Sequence, residues 1–143
     1  MKKRTRARVS VALGMALVLL SFSGANAATT KALSESYADK VVTVKLGTPI
    51  TLTLHNMYWQ FQSLKAGASL AAVGSPILKP VMPGPKAPAG CGVPGTGCGT
   101  QLWKFKTVKV GVTQLIATRT SCGEALRCVP PNDRFALTVK VVR

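Results

Sequence analysis

The chain has 143 residues, 19 of them Lys or Arg and only four Asp or Glu, for a formal net charge of +15. Its four acids (Glu35, Asp39, Glu124 and Asp133) and single His form no paired carboxylates for acid–base work. No Ser/His/Asp or Cys/His set is legible either, so a binding protein is expected rather than an enzyme.

Taken in chain order, the first element is an export signal. Lys2, Lys3, Arg4, Arg6 and Arg8 form a basic n-region, residues 9–22 an apolar run, and Ala25-Asn26-Ala27 a small-x-small cleavage site. The run is shorter than a membrane-spanning helix requires. Cleavage is expected after Ala27, giving a secreted or periplasmic product with no transmembrane segment. The residue directly after Ala27 is Ala28 and not a cysteine, which argues against a lipid anchor. The mature chain keeps 14 basic residues against four acids, a net of +10.

Residues 28–39 read as a polar lead-in and residues 40–143 as the folded domain. KVVTVKL at 40–46 is β-branched and stops at Gly47-Thr48-Pro49. Ile50, Leu52 and Leu54 alternate with Thr51, Thr53 and His55, the period of a half-buried strand. Residues 57–64 alternate again, with Met57, Trp59 and Phe61 on one face and Tyr58 on the other. A weaker strand is expected over 70–78, then a Pro/Gly-rich loop at 79–99 that regular structure cannot occupy. Strands follow at 101–110, 112–119 and 134–142. About seven strands and no helix after the signal predict an all-β chain, an immunoglobulin-like antiparallel β-sandwich. Trp59, Phe61, Trp103 and Phe105 are expected in its core, and Tyr58 is the candidate for an exposed contact.

Four cysteines in an exported chain read as two disulfides. The local pairs Cys91–Cys98 and Cys122–Cys128 are favoured because each closes a short loop, with a cross-pairing of the two loops as the rival. The spacings C-x6-C and C-x5-C do not suit a structural zinc site, so no metal or other cofactor is expected. Constrained loops lose less entropy on binding a partner. The lysines are scattered singly, as on solvated strand faces. Gly95-Thr96-Gly97 precedes a strand rather than a helix N-terminus, so no phosphate cradle and no nucleic-acid partner are expected.

The order TVKLGTPITLTL, MYWQF, GTGCGTQLWKF, KVGVTQLIATR and FALTVKVV resembles the chagasin-like inhibitors of papain-type cysteine proteases over about residues 41–142. The strongest match is Gly95-Thr96-Gly97-Cys98-Gly99-Thr100-Gln101 with Trp103 and Phe105, similar to the family's Gly-x-Gly-Gly loop and the strand after it. Gly111 and Leu115 match a Gly-x-x-x-Leu segment. The family's Asn-Pro-Thr-Thr-Gly loop is absent, with only His55-Asn56 before Met57-Tyr58-Trp59. Its Arg-Pro-Trp motif is replaced by Arg119-Thr120-Ser121-Cys122-Gly123. The resemblance implies a secreted inhibitor of papain-like cysteine proteases, acting by reversible occlusion of the active-site cleft. Its protease-binding loops would contain His55, Asn56, Met57 and Tyr58; Gly95, Thr96, Gly97 and Gly99; and Arg119, Ser121 and Gly123. The alternative is an envelope or adhesion module on the same scaffold, held on an anionic cell-envelope surface by its positive charge.

Overall fold

The alternation of apolar and polar residues along the strands dictates two half-buried sheets, and the fold is a β-sandwich. The computed structural model describes residues 29–92, 95–123 and 126–143; the expected signal segment and the cleavage expected after Ala27 lie outside them. Lys31–Leu33 forms β1, followed by a single 3-10 turn at Glu35–Tyr37. Val41–Lys45 is β2, Pro49–His55 β3 and Gln60–Phe61 β4. Leu70–Ala72 is β5, Ile77–Pro80 β6, Gly99–Thr107 β7 and Gly111–Thr118 β8. Ser121–Gly123 and Leu126–Arg127, β9 and β10, make a small ribbon, and Arg134–Val142 is β11.

One sheet runs β1-β3-β7-β5, with β6 also paired to β7, and the other runs β2-β11-β8-β4. Their facing residues form one core. Ile50, Leu52 and Phe105 from the first sheet meet Leu115, Leu137 and Val139 from the second, all at 2% exposure or less. Each such side chain contributes roughly 1.5–3 kcal/mol by leaving water. Phe61 is half-buried and leans on Trp103 and Phe105, with ring centroids 5.5 Å away in each case.

Several sequence expectations are revised. Eleven strands are present among the described residues, rather than about seven, because several connections pair briefly with a neighbouring strand. The interior pairings are antiparallel, but β1 runs parallel to β3 and β2 parallel to β11. Residues 31–37 belong to the sandwich rather than leading into it, since β1 extends the first sheet and Leu33 is buried. The strand expected over 57–64 shrinks to Gln60–Phe61, because Met57 and Tyr58 turn their amides toward other partners. The strand expected over 70–78 is broken by Gly74, at φ +69°, and Pro76 into β5 and β6, both laid against β7.

Both disulfides are local: Cys91–Cys98 closes a turn before β7, and Cys122–Cys128 clips the β9–β10 ribbon. Among the described residues no helix is long and apolar enough to cross a membrane.

Candidate functional site

Three connections converge at one end of the sandwich: residues 56–59 after β3, the segment between β6 and β7, and the segment after β8. The first two are joined through main chain. Asn56 N–H donates to the Gly99 carbonyl and Met57 N–H to the Gly97 carbonyl, each at 2.7 Å. Asn56 makes the approach possible by adopting a left-handed φ of +94°, a conformation asparagine tolerates better than most residues. Its side-chain Oδ1 then accepts the Tyr58 N–H at 2.8 Å, closing a tight turn.

The glycines are required by space as well as by conformation. At Gly97, φ +66°, an added Cβ would collide with the Tyr58 ring and lie 2.9 Å from Asn56 Oδ1. At Gly99, φ +141°, it would lie 2.8 Å from Met57 Sδ and from Pro80 Cα. The loop from Gly95 to Gly99 is therefore a narrow wedge of main chain with Thr96 at its turn. Tyr58, expected as an exposed contact, is half-buried as a strut in this wedge, and its hydroxyl donates to the Gly95 carbonyl at 2.7 Å. From beneath, Gln101 donates its amide to the Met57 carbonyl at 2.6 Å.

The third segment is held by Arg119. Its guanidinium stacks 4.5 Å from the Trp59 ring centroid, and its Nε donates to the Asn132 carbonyl at 2.7 Å. Burial lowers the Arg119 pKa from its ordinary value, and the nearby Glu35 carboxylate opposes the shift. The same Trp59 donates its indole N–H to the His55 carbonyl at 2.8 Å, so one indole links the first and third segments. His55 is exposed, and its ring and main-chain N–H both meet the Glu35 carboxylate. An open cleft of about 660 Å³ lies between the segments, bounded by His55, Asn56, Lys79, Gly99, Arg119 and the Cys91–Cys98 disulfide.

The structure thus brings His55, Asn56, Met57, Tyr58, Gly95, Gly97, Gly99 and Arg119 to one end, with Thr96 in the same turn. Ser121 and Gly123 lie just beyond, in the ribbon, where the Ser121 hydroxyl donates to the Gly123 carbonyl at 2.8 Å. Sequence reasoning missed Glu35, Lys79 and Asn132. Glu35 had one available signal, as one of four acids in a basic chain. Among the described residues, no three His, Cys, Asp or Glu side chains are grouped as metal ligands.

No family model matches the chain, and no curated protein matches it in sequence. Solved structures do. Amebosin superposes with a TM-score of 0.51 at 14% identity, covering 80% of this chain and 99% of its own. The cysteine protease inhibitor EhICP2 from Entamoeba histolytica superposes with a TM-score of 0.52 at 10% identity, covering 79% of this chain and 95% of its own. The chain shares the fold of a cysteine protease inhibitor. In that fold the glycine wedge, the Asn56 turn and Arg119 share one end of the sandwich. At such identity the likeness concerns the fold alone.

Proposed function

We propose that this protein is an exported inhibitor of papain-like cysteine proteases, which it blocks by inserting the glycine wedge and its two flanking segments into the active-site cleft. The carrying observation is the seating of Gly97 and Gly99 on Asn56 and Met57 by two main-chain hydrogen bonds, beside the Arg119–Trp59 stack. A binder of this kind needs a narrow edge, few side chains and little freedom to lose on docking. The positive-φ glycines supply the first two, while the Tyr58 strut and the Cys91–Cys98 disulfide supply the third. Occlusion is reversible and no bond of the inhibitor is cleaved. Two disulfides fit an oxidising destination, secreted or periplasmic.

Titration of papain with the oxidised protein, read with a fluorogenic peptide substrate, tests the proposal. Competitive, reversible inhibition is expected. Full papain activity at micromolar protein would sink it.

A further inference from the structure

The end of the sandwich opposite the wedge has a composition of its own. Three turns and the end of β11 are tied together there. Leu46 N–H donates to the Val142 carbonyl at 2.7 Å, and Val108 N–H to the Ser69 carbonyl at 2.9 Å. The Thr107 hydroxyl accepts the Gly47 N–H at 2.7 Å and donates to the Thr48 carbonyl at 3.3 Å. The turn tips that result present apolar side chains to water: Leu46 is 46% exposed, Val108 46% and Val110 49%. Exposed lysines are interleaved with them, Lys45 beside Leu46, and Lys106 and Lys109 around Val108. Arg143 follows Val142, which pairs with Lys45.

The described acids are elsewhere. Glu35 binds His55 at the wedge end, Asp39 lines a hollow with Trp59 and Arg119, and the Asp133 carbonyl accepts the Arg119 N–H. Among the described residues no acid neutralises the far-end lysines. Among the described residues the acids thus offset basic residues at the wedge end, and the lysines of the far end keep their charge.

We infer that this far end docks on an anionic lipid surface, with Leu46, Val108 and Val110 entering the headgroup boundary and Lys45, Lys106 and Lys109 contacting the headgroups. Charge complementarity selects an anionic partner. The apolar tips select a lipid one, because a soluble polyanion offers exposed valine and leucine side chains nothing, whereas a bilayer interface buries them. The geometry leaves the wedge pointing away from the surface, free to engage a second partner, so docking is independent of protease inhibition.

The experiment is co-sedimentation of the oxidised protein with vesicles of phosphatidylcholine mixed with phosphatidylglycerol, against phosphatidylcholine alone. Binding to the anionic vesicles only, weakened by added salt, is expected. Reversing Lys106 and Lys109 (K106E/K109E) should lower partition by about 30-fold or more. The same charge change placed on the other side of the molecule (K86E/R127E) should lower it far less. Replacing the apolar tips (L46S/V108S/V110S) should lower partition by about tenfold, while leaving elution from a heparin column unchanged. All these positions are exposed, and thermal unfolding checks that each variant folds. Absence of binding to anionic vesicles, equal binding to neutral ones, equal effects of the two charge variants, or an apolar-tip variant that binds like the parent would each overturn the inference.

Discussion

Substituting Gly97 by alanine tests the wedge most directly. An alanine held at φ near +66° costs about 1–2 kcal/mol relative to glycine. Its Cβ would also collide with the Tyr58 ring, so the ring must swing away and its hydroxyl must release the Gly95 carbonyl, at about 1 kcal/mol more. Opening the Gly95–Gly99 turn relieves this strain more cheaply than unfolding the sandwich, because the turn is held to its neighbours by a few hydrogen bonds. The competent loop conformation is then depleted by about 2–3 kcal/mol, and apparent affinity falls by the same fraction. The inhibition constant against papain should rise about 30- to 150-fold. Gly47→Ala is the matched control, at φ +89° with nothing within 4 Å of the added Cβ and at the opposite end of the molecule. It should cost about 1 kcal/mol of stability in urea unfolding and leave inhibition unchanged. If Gly97→Ala inhibits papain as well as the parent does, the wedge is not the contacting element and the reasoning fails.

Other perturbations separate the remaining supports of the site. Arg119→Ala removes the stack on Trp59 and the bond to Asn132, and should cost about 2 kcal/mol in urea unfolding along with part of the affinity for papain. Arg119→Lys should recover less than half of that loss, since an ammonium does not stack as a planar guanidinium does. Replacing Cys91 and Cys98 together by serine should cost about 2 kcal/mol by the chain-entropy estimate. It should weaken inhibition more than the equivalent change at Cys122 and Cys128, because only the first disulfide closes the turn holding Gly95 and Gly97. Leu33→Ala should lose about 2–3 kcal/mol by opening a cavity under β1; unchanged stability would show that β1 does not belong to the cooperative fold.

What was legible in the sequence was the local part of the fold. The alternation in FALTVKVV and in ITLTLH marks β11 and β3 because each strand presents one face to the core and one to water. The disulfide pairing was legible for the same reason, since each bridge closes a short loop. Pairings made across sequence distance were not. The parallel docking of β1 on β3 leaves no local signature, so a polar segment with one buried leucine read as a lead-in. The bond between Glu35 and His55 joins residues 20 apart, and the Arg119–Trp59 stack joins residues still further apart. The misreading of Met57–Leu64 is the most instructive. Met57, Trp59 and Phe61 do alternate, yet Asn56 at positive φ rotates the chain out of the sheet plane before β4 can begin.

That rotation also bears on how the three segments keep their arrangement without the side chains of a loop motif. Besides the Tyr58 hydroxyl bond, the wedge is joined to the Asn56 turn by two bonds from amide to carbonyl, which are indifferent to the side chains at either end. Motifs defined by side chains can therefore change while the loops stay in register. Two demands remain: no Cβ at positions 97 and 99, and a residue at 56 that accepts a left-handed φ. On this argument Asn56→Gly should preserve the turn and cost less than Asn56→Val, whose branched Cβ opposes positive φ. Glycine still lacks the Oδ1 that accepts the Tyr58 amide, so Asn56→Gly should cost about 1 kcal/mol against the parent, the sum of that lost hydrogen bond and of glycine's own backbone freedom. Urea unfolding of the three proteins gives the order, and a valine variant as stable as the glycine one would show that the backbone at position 56 is not under this constraint.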